Sequence, residues 1–559
     1  MAGGLMQLVS QGQANIILNG NPSKTFFKAT YAKYTNFGMQ HFRVDYEGSK
    51  TLQLTNESTF TFKIPRYGDL LMDTFISVDL PNIWSPIVPP VYNEMTNDYS
   101  DWEAYQFKWI KNIGTIMIKN ISITCGNQTL QEYSGNYLYS MVERDFSDTK
   151  KNLYYKMTGN VTELNDPANY GSNNGNYPNA FYNSSSLGPA PSIVGRTLLI
   201  PLGAWFTLKP QQSFPLVALQ YNELRVNVTF RPINELFLIR DVYDTINNYP
   251  YVAPNFNLNY MQMYLFLQPP PEEIITPDSY VDMRSVWDPN IYLSCTYCFL
   301  SNDESKVFAS NEQKYLINQI NEYSFYNVTG SNKVELNTTG MVKDYLFYFQ
   351  RSDANLTNQW TNLSNWKYEG VDPVILVPGP LTGDFVYTDM SGNVHAIGPG
   401  INPNNMLTGL DITPTYDGSF QENILLQFGV LFDGEYRENL QTSGVYNYVE
   451  KYSRSCGDGP NGLYCYNFCM NTSPFDMQPS GAINMSRFNK IEFEFTTINP
   501  PLDPLAQSLV ICDPQTGEII GINKPTWRIY QYNYDLYVFE ERVNMVVFVG
   551  GNAGLLYAT

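Results

Sequence analysis

The chain has 559 residues, and since single hydrophobic cores stop growing near about 250–300 residues, two domains are expected. Its formal net charge of −19, from 34 Lys and Arg against 53 Asp and Glu, argues against a protein that follows nucleic-acid phosphates with clustered cations. Aromatic residues make up 15% of the chain and charged residues 16%, with 35 Pro and 38 Gly, and this mixture indicates an all-β protein with long loops.

Residues 1–23 contain no Lys, Arg, Asp or Glu, and the first basic residue is Lys24. A secretory signal begins with a positively charged region, and no apolar run approaches the ~18 residues that would cross a bilayer. The sequence therefore predicts a soluble protein made in the cytosol. Seven cysteines, an odd and sparse set, do not match the disulfide framework of a small secreted domain.

Alternating apolar and polar residues, the pattern of half-buried strands, recur along the chain. The clearest examples are residues 59–64, 224–230 and 491–495. Between the triplets 116–118 and 121–123 the alternation slips by one residue, which predicts a β-bulge near Asn120. The best helical candidate is the short segment 312–320, and no long amphipathic helix is predicted.

Stretches rich in Gly, Pro, Asn and Ser interrupt these strands at residues 159–192 and 369–419. Insertions of this length inside a compact domain are usually functional or mobile. The segment 222–228 also resembles the segment 489–495, which lies 489 − 222 = 267 residues later. Each begins with Asn, alternates three apolar residues and follows a Pro-containing turn, so the match suggests an internal duplication.

Histidine-based chemistry has little support. His41 and His395 are the two histidines, and neither lies in a pattern that supplies the oriented partner of a nucleophilic triad. The chain also contains no His-Glu-x-x-His, Gly-x-Ser-x-Gly or Gly-x4-Gly-Lys motif. Both histidines are therefore interpreted as structural residues.

Four cysteines have a spacing that zinc or redox sites use. Cys295 and Cys298 form a Cys-x-x-Cys pair, and Cys465 with Cys469 would complete a zinc set. A redox motif of this kind opens a helix, whereas residues 291–300 have the pattern of a strand. Buried free thiols are the favoured interpretation, because Cys packs as a small apolar residue.

Two further groups have a chemical and a structural interpretation. Glu492 and Glu494 resemble the paired carboxylates of some glycosidases, but the polar face of a half-buried strand accounts for them equally well and is favoured. The glycine-rich segment 550–554 follows an apolar run. Since no helix follows, we interpret it as a turn after a terminal strand and not as a nucleotide-binding loop.

Several short segments occur in a fixed order across nearly the whole chain. They are MAGGLMQLV at residues 1–9, NGNP at 19–22 with TFFK at 25–28 and YTNF at 34–37, RYGDL at 66–70, PLVALQY at 215–221, and QPSGAINMSR at 478–487. Together they resemble the double jelly-roll major capsid proteins of nucleocytoplasmic large DNA viruses, in particular the mimivirus-like branch. The loop blocks at 159–192 and 369–419 and residues 240–285 are longer than a minimal member of that family would need.

The resemblance implies an all-β fold of two tandem eight-stranded jelly-roll β-sandwiches, a double jelly roll, with long loop insertions. We expect an N-terminal arm at residues 1–24 and a first jelly roll at 25–311 with insertions near 151–195 and 240–285. The second jelly roll is expected at 312–559, with an insertion near 351–420. Residues 222–228 and 489–495 are predicted to occupy equivalent strands, with their apolar residues facing the two cores.

The resemblance also implies a structural subunit of an icosahedral virus shell, which is not an enzyme and has no catalytic residue, metal site or cofactor. Its partners would be two further copies in a homotrimeric, pseudo-hexagonal capsomer, neighbouring capsomers on the facets, minor capsid proteins, and an internal membrane beneath the shell, without direct nucleic-acid contact. Its expected location is the virion capsid, after synthesis and assembly in the host cytoplasm. The alternative is a secreted β-sandwich carbohydrate-binding or carbohydrate-active protein.

Overall fold

The computed structural model describes most of the chain. The described residues are 3–10, 12–88, 92–93, 98–99, 103–181, 188–242, 249–272, 277–370, 385–388, 394–397, 421–500, 509–512, 519–523 and 530–557. None of the helices in these ranges is long and apolar enough to cross a membrane.

Eight principal strands lie in each half of the described chain. Those of the first half are β1 (Phe37–Asp45), β2 (Ser58–Lys63), β3 (Leu70–Asp79), β4 (Ile118–Cys125), β5 (Gln128–Tyr133), β6 (Thr197–Pro201), β7 (Leu224–Phe230) and β8 (Tyr292–Leu300). Those of the second half are β9 (Gln313–Phe325), β10 (Ser331–Glu335), β11 (Met341–Arg351), β12 (Leu425–Phe432), β13 (Glu435–Tyr436), β14 (Leu463–Asn467), β15 (Ile491–Thr497) and β16 (Tyr534–Val549).

Shorter strands and helices fill the connections. The strands are Ile87–Val88, Tyr92–Asn93, Asp98–Tyr99, Glu103–Ala104, Phe107–Trp109, Phe214–Pro215, Phe237–Arg240, Tyr251–Val252, Phe385–Thr388, Val394–Ile397, Gln441–Thr442, Ile483–Asn484, Leu509–Cys512, Ile519–Asn523 and Asn552–Leu555. The helices are α1 (Gly3–Val9), α2 (Ile16–Asn19), α3 (Ile113–Ile116), α4 (Gly135–Asp145), α5 (Asp148–Thr158), α6 (Thr162–Asn165), α7 (Trp205–Leu208), α8 (Asn302–Ser310) and α9 (Glu450–Arg454), and a π-helix at Val445–Val449 precedes α9.

The two halves have the same topology. In the first half the sheet orders are β1-β8-β3-β6 and β5-β4-β7-β2, and in the second half they are β9-β16-β11-β14 and β13-β12-β15-β10. Adding eight to each strand number of the first half gives the second half. Neighbouring strands in these sheets run antiparallel. Each half is therefore an eight-stranded jelly roll, and the predicted double jelly roll is confirmed.

The strands form where the alternation predicts them. In β7 the residues Leu224, Val226 and Val228 are buried between half-buried polar neighbours. Ile491, Phe493 and Phe495 in β15 are also buried, and among their polar neighbours Glu494 is half-buried and Glu492 is buried. Because β7 lies between β4 and β2, and β15 lies between β12 and β10, the prediction that segments 222–228 and 489–495 occupy equivalent strands is confirmed.

The predicted bulge near Asn120 is also confirmed. Thr229 of β7 pairs with Asn120, but the next residue, Phe230, pairs with Ile118, so one residue of β4 is extra. The strand begins at Ile118, and residues 113–116 form the single-turn helix α3 instead of an earlier part of the strand.

The helix predicted at residues 312–320 is wrong. Residues 313–320 belong to β9, which pairs with β16 over thirteen positions from Gln313 to Phe325. The local helical preference of this segment yields to a long strand pairing with residues more than 200 positions away. A nine-residue helix, α8, lies just before it at Asn302–Ser310.

The insertion expected near 151–195 is only partly a loop, because α5 continues to Thr158 and α6 follows it. Helix α4, just upstream, was not predicted. Ten of its eleven residues are buried, so the helix has no solvent-exposed polar face. Its sequence therefore lacks the amphipathic pattern by which a surface helix is recognised. Within the insertion expected near 240–285 the described residues include single-turn 3₁₀ helices and one short strand, Tyr251–Val252. Most of the predicted block at 369–419 lies outside the described residues.

The apolar side chains form two core clusters. One fills the first jelly roll and continues onto the outer face of the sheet β9-β16-β11-β14, where it includes Leu346, Leu463 and Phe539. The other lies between the two sheets of the second jelly roll and includes Phe347 and Phe493. The first core therefore extends across the junction between the two jelly rolls.

Candidate functional site between the two jelly rolls

Five buried charged side chains from both jelly rolls meet at this junction. Helix α4 of the first jelly roll ends with Arg144 and Asp145, β11 of the second contributes Lys343 and Asp344, and β16 contributes Glu541. Each of these side chains is at most 4% exposed. We refer to them as the junction cluster.

Local chain geometry brings α4 to the second jelly roll. The helix begins directly after β5, where the Ser134 hydroxyl accepts a hydrogen bond from the backbone N–H of Tyr137 and so caps the first turn. The backbone N–H of Ser134 donates in turn to Oε1 of Glu322, in β9 of the second jelly roll, across 2.7 Å. The start of α4 is thereby fixed on both sides of the junction.

Arg144 is the centre of the junction cluster. Its Nη1 lies 2.9 Å from Oδ1 of Asp344, and its Nη2 lies 2.6 Å from Oε1 of Glu541 and 2.8 Å from Oδ2 of Asp145. The Lys343 ammonium lies 3.2 Å from Oε2 of Glu541 and 3.7 Å from Oδ2 of Asp344. One guanidinium therefore contacts carboxylates from three separate elements, which its planar set of donors allows.

Neutral groups satisfy the remaining oxygens of the cluster. The Tyr137 hydroxyl donates to Oε1 of Glu541 across 3.0 Å. The Thr472 hydroxyl donates to Oδ1 of Asp145 across 2.5 Å, and the carbonyl oxygen of Thr472 accepts from Nζ of Lys343 across 2.7 Å. Buried charges are tolerated only when they are paired and hydrogen-bonded in this way.

The three carboxyl groups differ in their titration. Burial raises the pKa of Asp344 to about 6, because it outweighs the attraction of Arg144. Burial also raises the pKa of Asp145. Burial acts on Glu541 as well, but Arg144 and Lys343 together lower the pKa of Glu541 to about 2. The two cations thus favour the ionised form of Glu541, whereas burial favours the protonated forms of Asp145 and Asp344.

Such an arrangement fixes the relative position of the two jelly rolls. Sliding α4 along the sheet would leave at least one buried charge without its partner, and this typically costs about 3–5 kcal/mol. Hydrogen bonds to backbone carbonyls extend the junction beyond the cluster: the side-chain amide of Gln131 donates to the carbonyl of Asn318 across 2.9 Å, and the backbone N–H of Gln220 donates to the carbonyl of Gly551 across 2.8 Å. The junction holds the two jelly rolls in one orientation.

The cysteines singled out from the sequence do not come together as one site. Cys295 and Cys298 lie in β8, as predicted, and both are buried free thiols. Cys465 and Cys469 are also buried and free, and the Cys469 thiol lies 3.9 Å from Oδ2 of Asp344, beside the junction cluster. Among the described residues no three or more His, Cys, Asp or Glu side chains are grouped to hold a metal ion.

His41 is not a member of the junction cluster. Nδ1 of His41, in the exposed strand β1, lies 2.9 Å from the Thr296 hydroxyl of β8. The side chain of His395 lies outside the described residues.

Glu492 and Glu494 form part of a row of ion pairs on β15. Glu492 lies 2.8 Å from Lys490, and Glu494 lies 2.9 Å from Lys333 on the neighbouring strand. The predicted polar face of the strand is confirmed for Glu494, whereas Glu492 is buried. The glycine-rich segment 550–554 contains the predicted turn: the chain reverses after β16 with positive φ at Gly550 and Gly551, and Asn552–Leu555 pairs back onto β16.

The sequence did not reveal the junction cluster, because its members lie up to 397 positions apart and no local spacing joins them. One signal was available. The pattern Ser-Gly-x-Tyr-x-Tyr occurs twice, at residues 134–139 where α4 begins and at residues 443–448 in the second half. The first copy follows β5 and the second follows β13, which are equivalent strands of the two jelly rolls. The repeat therefore indicates that α4 has a duplicated counterpart in the second half.

Two family models match the chain, one for each half. The model described as major capsid protein N-terminus matches residues 25–269, and the model described as large eukaryotic DNA virus major capsid protein matches residues 304–554. Together they cover most of the chain, and the described jelly-roll strands lie almost entirely within these limits.

Relatives and a solved structure agree with the family models. The chain is 25% identical to the major capsid protein of Phaeocystis pouchetii virus and 23% identical to that of Paramecium bursaria Chlorella virus 1, in each case over 100% of both proteins. The quasi-atomic model of the PBCV-1 virus capsid has the same fold, with a TM-score of 0.57 and 18% identity over 96% of this chain and 100% of the other. A carbohydrate-binding or carbohydrate-active protein finds no support in these similarities.

Proposed function

Since the chain belongs to the major capsid proteins of large eukaryotic DNA viruses and is a structural subunit of an icosahedral shell, not an enzyme, we propose that three copies form a homotrimeric capsomer. One chain carries two jelly rolls of the same topology, so a three-fold molecule presents 3 × 2 = 6 similar units. Its outline is therefore nearly hexagonal, and such blocks tile the flat facets of the capsid. A closed point group also limits the number of subunits.

The observation that carries this proposal is the junction cluster. Because Arg144, Asp344 and Glu541 join the two jelly rolls through buried ion pairs, each chain supplies two sixths of the ring as one rigid piece. The limits proposed for these pieces are residues 25–311 and 312–559, with residues 1–24 as a separate arm.

Native mass spectrometry of the purified chain tests the trimer. The expected species has about three times the 63.9 kDa mass of one chain and persists at micromolar concentration, without nucleic acid or cofactor. A protein that stays monomeric across this concentration range contradicts the proposal. Electron micrographs of the same material should show particles with a hexagonal outline.

The arm at residues 1–24 is proposed to contact minor capsid proteins and an internal membrane beneath the shell. Helix α1 has no buried residue, and the apolar side chains of Leu5, Leu8, Ile17 and Leu18 are all more than half exposed. Apolar surface of this extent marks an interaction site. Deleting residues 1–24 should leave the trimer intact but abolish flotation with phosphatidylcholine liposomes, and flotation that survives the deletion argues against a membrane contact.

The remaining partners and the place of assembly follow from the same premise. We propose that the protein assembles in the host cytoplasm and has no direct contact with the genome. Its net charge of −19 repels phosphates instead of displacing their counterions. A mobility-shift assay with double-stranded DNA at low salt should show no complex, and a shift that weakens steeply with added salt would contradict this part of the proposal.

A further inference from the structure

The outer faces of two equivalent sheets differ in their exposure. In the pairing of β3 with β8, Leu71 faces Tyr297 and the register then shifts before Thr74 faces Cys295. In the pairing of β11 with β16, Val342 faces Arg542 and the register likewise shifts before Asp344 faces Glu541. Because both pairings carry the irregularity at the same place, Leu71 corresponds to Val342, and two positions later Asp73 corresponds to Asp344.

The alignment extends to the neighbouring strand pairs, because Phe75 and Leu346 each stand four residues after the aligned Leu71 and Val342. In the first jelly roll Phe75 pairs with Pro201, and Ser77 pairs with Leu199. At the equivalent positions of the second jelly roll Leu346 pairs with Cys465, and Tyr348 pairs with Leu463. Phe75 therefore corresponds to Leu346, and Leu199 corresponds to Leu463. We refer to Asp73, Phe75 and Leu199 as the open face.

In the second jelly roll this face is covered. Asp344, Leu346 and Leu463 are 0% exposed, because α4 and the core of the first jelly roll pack on them. In the first jelly roll Asp73 is exposed, Phe75 is half-buried and Leu199 is 39% exposed. At these three positions the first sheet thus lacks, within the described chain, the cover that its counterpart has.

The element that would supply this cover exists in the second jelly roll. The repeated Ser-Gly-x-Tyr-x-Tyr pattern begins α4 between β5 and β6, and it begins the helical segment 445–454 between β13 and β14. The first tyrosine of the pattern is buried in both copies, Tyr137 and Tyr446. The second is buried in α4, at Tyr139, but Tyr448 is 54% exposed and Tyr452, one turn later, is 93% exposed.

The charged residues of the two helical segments also correspond. Arg144 lies 144 − 137 = 7 residues after the first tyrosine of its pattern, and Arg454 lies 454 − 446 = 8 residues after its own. The second segment contains a π-helix at Val445–Val449, and a π-turn accommodates one additional residue within a helix. Arg454 is therefore the counterpart of Arg144, and it is exposed.

We propose that the helical segment 445–454 of one subunit covers the open face of an adjacent copy of this chain, and that Arg454 pairs with Asp73 of that copy. Tyr448 and Tyr452 then lie on the apolar part of the open face, as α4 lies on the second jelly roll. The contact between subunits then repeats the contact between the two jelly rolls of one chain. The same rotation therefore relates each of the six jelly rolls to the next, and the ring closes after three subunits. This inference rests on the proposed homotrimer and specifies its interface.

Charge exchange at this pair tests the inference. Asp73→Arg and Arg454→Asp each place like charges opposite each other and should raise the concentration of half-maximal trimer formation about tenfold or more. The double variant exchanges the two charges and should bring this concentration back to within about threefold of the unmodified chain. Both positions are exposed, so the single variants should keep the circular dichroism and thermal unfolding of the isolated subunit.

Arg284→Asp serves as the matched control, because the Arg284 side chain is 80% exposed and forms an ion pair with Asp282, two residues before it. It should trimerise like the unmodified chain. Single variants that trimerise at unchanged concentration, or a double variant that is no better than the singles, overturn the proposed interface while leaving the trimer standing. An unmodified chain that does not trimerise refutes the homotrimer itself, so the two failures are distinguishable.

Discussion

Nη1 of Arg144 donates a hydrogen bond of 2.9 Å to Oδ1 of Asp344, and it joins two fully buried side chains that lie 200 positions apart in the chain. The same guanidinium also reaches Glu541 of β16. The two jelly rolls are therefore connected by a pairing of charges in addition to apolar packing, and such pairing has directional requirements that apolar packing lacks.

Replacing Arg144 by Leu removes one cation and leaves Asp145, Asp344 and Glu541 buried with Lys343 alone. We expect the free energy of unfolding to fall by about 3–5 kcal/mol, because the uncompensated carboxylates remain out of water. Urea denaturation of the purified chain measures this change. Arg284→Leu, which removes an exposed arginine, should change the urea midpoint little, and an equal loss in both variants would show that the junction cluster contributes no special stability.

The sequence predicted elements whose signal is local and missed those whose cause is distant. Strands β7 and β15 were predicted because alternation with period two is visible within seven residues. The local sequence of β9 indicates a helix, because its partner β16 lies more than 200 residues away and has no local signal. The junction cluster was missed for the same reason: Arg144 and Glu541 are ordinary surface residue types until the fold buries them together.

The stability of the folded chain should depend on pH through Glu540 of β16. Burial raises the pKa of Glu540 to about 7 from its ordinary 4.5, so between these values the folded chain binds more protons than the unfolded chain. The free energy of unfolding should therefore fall as pH rises from about 4.5 to about 7, by at most about 1.4 kcal/mol per pH unit for this group. Asp344, with a pKa raised by burial to about 6, acts in the same direction at slightly lower pH.

Urea denaturation at pH 5, 6, 7 and 8 measures this slope, and Glu540→Gln should reduce it. This pH range excludes the titration of Glu541, which has the opposite effect on stability. Because the pKa of Glu541 is lowered to about 2, its contribution to the free energy of unfolding is lost only as the pH falls below about 4.5. Glu335→Gln, at a carboxyl that is 52% exposed, should keep the slope of the unmodified chain. If Glu540→Gln has that same slope too, Glu540 is not the titrating group.

The two faces of β15 should respond differently to truncation. Phe493 is fully buried and its ring lies 5.1 Å from that of Tyr345 and 4.9 Å from that of Phe428. Phe493→Ala should lower the free energy of unfolding by about 3–5 kcal/mol, because it leaves a cavity among these rings. Glu494→Ala, at the next residue but on the partly solvated face, should cost much less in the same urea titration, and a comparable loss would contradict the assigned register of the strand.

The cysteines should react in the order of their burial, without a disulfide bond between Cys295 and Cys298. Cys456 is exposed, whereas burial raises the pKa of Cys295 to about 12 and that of Cys465 to about 12. Since the thiolate is the reactive species, maleimide should label Cys456 first in the native protein, and Cys456→Ser should abolish that fast phase. The side chain of Cys512 lies outside the described part of the structure, so the order applies to the other six cysteines.

Alkylation in denaturant without reductant then tests the Cys295–Cys298 pair directly. All seven cysteines should be modified, because the two thiols of β8 are free, and a disulfide has strict geometric requirements that strand positions three apart do not favour. A protein that carries two fewer alkyl groups than expected, with Cys295 and Cys298 unmodified in the peptide map, would reveal a bridge between them.

Elemental analysis should find far less than one zinc ion per chain, because a structural zinc site takes four ligands and the described cysteines form no such group.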